Sequence, residues 1–168
     1  AAWDATGDQA YLAAATRQWR RLRKHLDPKR GWVIKLAYGH CSEASDAGRC
    51  RGQNAYMLAL TLSGVARYHA ATRDPEVLVG LTAGIDQLIR SCWNEKHKAF
   101  HLSSCRHSKH LIPPKQNSPA ALSAQAIAYE SAVTGNREHR RIGKEAIKAL
   151  IEDGVANIGT DSLKGQTG

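Results

Sequence analysis

Two residues that can carry out proton transfer lie two positions apart in a polar part of the sequence. Tyr38 and His40 fall in the run Ala37-Tyr38-Gly39-His40-Cys41. A tyrosine and a histidine can act together as acid and base. We therefore predict that Tyr38 and His40 form a catalytic pair. The alternative interpretation is that His40 only bonds to the backbone of its own loop.

Two long polar loops hold the other candidate residues. The loops span residues 37–54 and 101–110 and contain four of the eight histidines. The other connections, Thr72–Pro75 and Thr134–Arg137, are tight turns, and long loops at one end of a helical array indicate its functional face. Asn54 has an alternative role as a helix cap, and Tyr56 an alternative role as a core residue. The predicted substrate-binding residues are Arg49, Asn54, Tyr56, His101 and His107.

The four cysteines allow three interpretations. Two disulfides, Cys41 with Cys50 and Cys92 with Cys105, would indicate an oxidising compartment, and on this basis we predict a secreted or periplasmic protein without a remaining signal peptide. Free thiols are the second interpretation. The third is a zinc site that combines Cys105 with nearby histidines, but Cys-x-His-x-x-His is not an established zinc-finger spacing. We therefore predict no metal and no other cofactor.

An internal repeat organises the chain. Gln53-Asn54 matches Gln116-Asn117, and Thr72–Pro75 matches Thr134–Arg137, which gives a period of about 62 residues. Each unit reads as a helical hairpin with a mostly apolar first helix and an amphipathic second helix. An apolar first helix predicts burial on all sides. The predicted helices cover residues 9–26, 54–72, 75–92, 119–133 and 138–153, with a short extended stretch at 32–37.

The charge of the chain restricts its partners. Lys and Arg number 24 against 15 Asp and Glu, a formal net charge of +9, which attracts polyanions. The cations cluster within residues 17–30 and 137–148, on two helical segments that can equally be solvated faces. Few aromatic residues accompany them, which argues against nucleic acid as the partner. No apolar run reaches the roughly 20 residues that cross a membrane, so no membrane partner is expected.

The hairpins, their period and the turn Asp27-x-x-x-Gly31-Trp32 resemble the (α/α) toroid, in which helical hairpins surround a central axis. Unsaturated-glucuronyl hydrolases, several polysaccharide lyases and related glycosidases and epimerases have this architecture. The resemblance covers about residues 9 to 153. It implies an all-α chain, residues 1–168 forming a single domain of repeated helical hairpins. This domain would be an incomplete toroid-like array within a larger enzyme, or one that a partner completes.

The resemblance also implies a carbohydrate-active enzyme whose substrate is an acidic polysaccharide or oligosaccharide. A lyase of this kind needs a base beside a uronate carboxylate and a polar group that neutralises it. A glycoside hydrolase needs two carboxylates about 5–10 Å apart, and the sequence offers few candidates: Glu43, Asp46 and Glu130. This scarcity favours a lyase over a hydrolase. The alternative function is a non-catalytic helical-repeat module that binds a protein or a polyanion.

Overall fold

The computed structural model describes residues 2–27, 29–35, 51–105 and 118–164. The predicted all-α class is confirmed, because helices make up most of this part of the chain and the strands within it are two residues long. The helices are α1 (Ala2–Thr6), α2 (Gln9–Arg23), α3 (Ala55–Thr72), α4 (Pro75–Cys92), α5 (Ser118–Thr134) and α6 (Arg137–Lys164). The strands are β1 (Leu26–Asp27), β2 (Gly31–Trp32), β3 (Ile34–Lys35), β4 (Arg51–Gly52), β5 (Trp93–Asn94) and β6 (Ala99–Phe100).

The helices pair into the predicted hairpins. α3 packs against α4, and α5 packs against α6. The most extensive helix contact joins α3 to α5, where Ser63 donates to the carbonyl of Leu122 and Arg67 donates to the side chain of Gln125. Contact positions rise together along both helices, so α3 and α5 run parallel as neighbouring inner helices. α4 and α6 are the second helices of the two hairpins.

Among the described residues, the same turn occurs at Thr6–Asp8, Thr72–Asp74 and Thr134–Asn136. In each copy the threonine hydroxyl donates to a carbonyl four residues back and accepts from the backbone N–H two residues ahead. The last residue caps the following helix through its side-chain oxygen. The middle residue has a left-handed backbone, with φ of 68° at Gly7, 56° at Arg73 and 75° at Gly135.

The first copy of the turn shows that α1 and α2 form a third, shortened hairpin. The match between Thr6-Gly7-Asp8 and Thr134-Gly135-Asn136 was not recognised from the sequence. The described part of the chain therefore contains three successive units of one repeat. The toroid-like closure of such units into a ring stays a prediction.

A small antiparallel strand pair also recurs after the second helix of a hairpin. β1 pairs with β2 after α2, and β5 pairs with β6 after α4. The Asp27 carboxylate accepts from the backbone N–H groups of Lys29 and Arg30, while the Asn94 side chain accepts from the N–H of His97. β3 pairs with β4 and so joins the two ends of the first long loop.

The core lies between the two layers of helices. The apolar stripe of α4 predicted from the sequence is confirmed, since Val77, Leu81, Ile85 and Leu88 have no exposed surface. α4 lies close to its neighbours at Gly84, where an added Cβ would lie 2.6 Å from both Leu62 Cδ2 and Trp32 Cζ3. No helix among the described residues is long and apolar enough to span a bilayer.

Two predicted features of the helices are wrong. α3 is not buried on all sides, because the side chains of Tyr56, Met57 and Leu60 are exposed near its start. α6 does not end near residue 153 and continues to Lys164. The prediction used only the apolar composition of the helix. The exposed fraction of a side chain also depends on whether another element packs against that side of the helix.

Candidate functional site

The start of α3 lies at the end of the molecule that carries the long loops. Asn54 is the N-cap of α3, and its side-chain oxygen accepts from the backbone N–H of Met57 at 3.1 Å. Only 7% of Asn54 is exposed. The alternative role of Asn54 as a cap is therefore confirmed. Its predicted contact with substrate stays a prediction.

The described ends of the two long loops are joined by backbone hydrogen bonds. The N–H of Ala55 donates to the carbonyl of Leu102 at 2.9 Å, and the N–H of Ser104 donates to the carbonyl of Gln53 at 3.0 Å. Asn54 and Ser103 form the bridge between these two bonds, and the Ser104 hydroxyl accepts from the N–H of Gln53 at 2.8 Å. This pairing, which we call the loop junction (Gln53–Ala55 with Leu102–Ser104), places one end of each loop at the start of α3.

The tight turns lie at the other end of the helices. α3 runs from the loop junction to the turn Thr72–Asp74, and its 18 residues span about 27 Å at 1.5 Å per residue. Polar loop residues and tight turns are thus separated by the length of an inner helix. The expectation that the long loops belong to one face agrees with the part of each loop that the structure describes.

His101 leads into the loop junction and is half-buried. Its backbone N–H donates to the carbonyl of Cys92 at 2.7 Å, and its Nε2 lies 3.2 Å from the side-chain nitrogen of Asn94. Burial, with a smaller contribution from the charge of His97, lowers the pKa of His101 below 6.5. A neutral imidazole that accepts from Asn94 at Nε2 carries its proton on Nδ1, and this buried atom has no hydrogen-bond partner within the described part of the chain.

Gln53, at the same end, also carries a buried polar atom that lacks a partner in the described ranges. The residue is 1% exposed. Its side-chain nitrogen donates to the carbonyl of Arg30 at 3.4 Å, but its Oε1 has no hydrogen-bond partner among the residues that the structure describes. Buried polar groups are nearly always satisfied, so each exception requires an explanation. From the sequence, Gln53 was recognised only as part of a repeated Gln-Asn pair and was not predicted to bind substrate.

The stem of the second loop is held rigidly against the helices. Trp93 packs on Phe100 with ring centroids 5.1 Å apart, and its indole N–H donates to Glu95 at 2.6 Å. Hydrogen bonds from Arg141, Lys98 and Trp93 lower the pKa of Glu95 to about 2. Arg141 belongs to α6, so these bonds tie the β5–β6 pair to the last hairpin. Trp93 therefore anchors the β5–β6 pair.

Tyr56 is not a core residue, which was its alternative role. Its side chain is 43% exposed and lies on the first turn of α3, beside the loop junction. Tyr56 is therefore accessible to a ligand at this end of the molecule. The structure brings Asn54, Tyr56 and His101 to one end of the helical array, whereas Tyr38, His40, Arg49 and His107 lie outside the described residues.

Glu130 is not available as a catalytic carboxylate at the loop end. It has no exposed surface, and it lies near the turn end of α5, only four residues before Thr134. Its Oε2 lies 2.8 Å from Nδ1 of His139, and its Oε1 accepts from the hydroxyl of Thr82 at 2.9 Å. Glu43 and Asp46, the other candidate carboxylates, lie outside the described residues.

The cysteine predictions are corrected in part. Cys92 is a buried free thiol, so the predicted Cys92–Cys105 disulfide is wrong. Cys41 and Cys50 lie outside the described residues. Within residues 2–27, 29–35, 51–105 and 118–164, no group of three His, Cys, Asp or Glu side chains is placed to hold a metal ion.

Comparisons with known proteins do not indicate a function, so a functional proposal depends on the geometry described above. No family model, no curated protein and no solved structure matches the chain.

Proposed function

We propose that this chain is part of an (α/α)-toroid enzyme that cleaves an acidic polysaccharide at the loop end of its hairpins. The observation that carries the proposal is the loop junction. It holds the ends of two long polar loops together at the start of an inner helix, beside Asn54, Tyr56 and His101. Sites built from loops on a rigid helical scaffold are the usual place for catalytic residues.

The supply of carboxylates favours elimination over hydrolysis. Hydrolysis requires two carboxyl groups that flank the bond to be broken. Glu130 is engaged in the interior at the far end of α5, so only Glu43 and Asp46 of the candidates considered are left. Elimination requires instead a base, an acid and a group that neutralises the substrate carboxylate.

Tyr38 and His40 supply the base and the acid in this proposal. The base removes the proton from the carbon beside the uronate carboxylate. The C–O bond on the next carbon then breaks, a C=C bond forms between the two carbons, and the departing oxygen takes a proton from the acid. Arg49 and Asn54 would neutralise the carboxylate, while Tyr56, His101 and His107 would contact the sugar rings.

The test is an ultraviolet assay for the unsaturated uronate product, with the purified chain and a panel of acidic polysaccharides. Tyr38→Phe and His40→Ala are expected to remove product formation while the helical circular dichroism stays unchanged. His97→Ala is the matched control, because His97 is exposed on the β5–β6 turn, and it is expected to leave the rate unchanged. New reducing ends without ultraviolet absorbance would overturn elimination in favour of hydrolysis. Binding without any product would support the non-catalytic alternative instead.

A further inference from the structure

The two cationic helices of the chain differ in how their charges are neutralised. α6 has glutamates among its cations: Arg141 contacts Glu138 and Glu145, and also Glu95 of the β5–β6 turn. α2 has no acidic residue, and its sequence is QAYLAAATRQWRRLR. Sequence clusters that look alike are therefore different surfaces in the folded chain.

Four cations of α2 and its C-cap form a continuous strip, which we call the α2 cationic surface. Arg17, Arg20, Arg21 and Lys24 occupy positions i, i+3, i+4 and i+7, so they share one face over a length of about 10 Å. All four are exposed, and none has a carboxylate partner in the described part of the chain. Arg23 lies off this face and pairs with Glu76 of α4.

The opposite side of α2 fixes the strip in place. Trp19 is 6% exposed and packs beside Tyr68, whose hydroxyl donates to Thr16 at 3.0 Å. The indole N–H of Trp32 donates to the carbonyl of Leu22 at 3.0 Å. A rigid row of like charges without internal partners costs folding energy through mutual repulsion, and a bound anion would relieve that repulsion.

We propose that the α2 cationic surface binds a carboxylated polysaccharide chain outside the loop-end site. Guanidinium groups match carboxylates in geometry, and a row of them one helical turn apart suits a polymer with repeated charges. Trp19, the aromatic residue in this part of the sequence, is buried on the opposite side of α2 and cannot stack on a base, which disfavours nucleic acid. The kind of polymer rests on the proposed function, but binding to the surface is measured without turnover.

The experiment measures binding of polygalacturonate to the full chain at low and moderate salt. The double variant Arg20→Gln/Lys24→Gln is expected to weaken binding by about tenfold, because two charge-assisted contacts are lost. The matched control is Arg137→Gln/Lys144→Gln, which removes one arginine and one lysine from exposed positions on α6. It is expected to change binding by less than about twofold, since surface charges that touch no ligand contribute little.

Each other result overturns the proposal. Equal losses in the two double variants would mean that attraction depends on net charge alone. Tighter binding of oligothymidylate or duplex DNA than of polygalacturonate, lost on the same substitutions, would assign the surface to nucleic acid. Absence of polygalacturonate binding would contradict the proposal that the α2 cationic surface binds a carboxylated polysaccharide. His40→Ala separates this proposal from the proposed function, because loss of product with binding retained leaves the surface intact.

Discussion

Nδ1 of His139 on α6 lies 2.8 Å from Oε2 of Glu130 on α5, inside the α5–α6 hairpin. The other ring nitrogen, Nε2, lies 2.9 Å from a carboxylate oxygen of Asp86 on α4. An imidazole with a carboxylate at each nitrogen is satisfied only when both nitrogens carry protons. His139 is therefore a buried imidazolium that connects two hairpins through charge.

This arrangement predicts that the stability of the fold depends on pH. Burial opposes the charged form of His139, but its contacts with Glu130 and Asp86 outweigh burial and raise its pKa above 6.5. Burial likewise opposes ionised Glu130, but hydrogen bonds from His139, Thr82 and Thr134 lower its pKa below 4.5. The histidine contribution is complete below 6.5 and is lost as pH rises through the folded pKa. The glutamate contribution is complete above 4.5 and is lost as pH falls through the folded pKa.

The measurement is urea unfolding of the wild type and His139→Gln across pH. The difference in unfolding free energy should be largest between pH 4.5 and pH 6.5, and it should shrink on either side. A difference that does not change with pH would contradict the charged pair.

Truncation at His139 should be costly, whereas loss of the Asp86 charge should not. His139→Ala leaves Glu130 buried without its cation, and breaking a buried pair in this way costs about 3–5 kcal/mol. Asp86 is 51% exposed, so Asp86→Asn should cost only about 0–1 kcal/mol. Urea unfolding at neutral pH gives both values. Equal costs for the two variants would show that the connection to α4 matters as much as the interior pair.

Glycine-to-alanine substitution is predicted to have opposite effects on stability at Gly135, in a repeated turn, and at Gly64, inside a helix. Gly135 has a φ of 75° in the turn between α5 and α6, and Gly64 lies within α3; a Cβ would meet no atom within 4 Å at either position. Gly135→Ala should destabilise the fold by about 1 kcal/mol or more, because alanine resists the left-handed backbone. Gly64→Ala should stabilise it by about 0.5–1 kcal/mol through helix propensity. Thermal unfolding measures both, and a gain in stability for Gly135→Ala would be incompatible with this turn geometry.

Cys92 is predicted to be chemically inert in the folded chain. Burial raises the pKa of its thiol to about 11, although a hydrogen bond with Ser91 acts in the other direction. The thiolate is the reactive form, so alkylation near neutral pH should be slow. Iodoacetamide treatment followed by peptide mass mapping should find Cys92 unmodified in the native protein and modified in urea. Rapid native modification would show that the thiol is accessible.

Local sequence signals predicted the hairpin containing α3 and α4 almost completely. Asp74 as N-cap, Pro75 at the first helical position and the apolar stripe from Val77 onward define α4, and these signals act within a few residues. The loop junction was anticipated only as two loops at a common end. Its hydrogen bonds join Gln53–Ala55 to residues about 50 positions later, and no periodicity encodes such a pairing.

The interior ion pair was missed for a related reason. A glutamate in an apolar helix is visible in the sequence, and Glu130 was considered there only as a candidate carboxylate for hydrolysis. His139 was not recognised as the partner of this glutamate, because it lies in a segment rich in arginine and lysine. The partner becomes recognisable only when α5 and α6 fold back on each other at Gly135. The turn Thr6–Asp8, in contrast, could have been recognised from the sequence, because Thr-Gly-Asp differs from Thr-Gly-Asn by a single side-chain group.

The three matching turns make the chain a series of interchangeable modules. Each turn satisfies its own hydrogen bonds and caps its own second helix, so a unit depends mainly on its immediate neighbours. Natural or engineered recombination between two of these turns, at Gly7, Arg73 or Gly135, would exchange one repeat period without altering the backbone at the joint. Each exchanged segment would hold the second helix of one hairpin, the following loop and the first helix of the next hairpin. The array can therefore lengthen or shorten by one unit at a time while the cores on either side keep their packing.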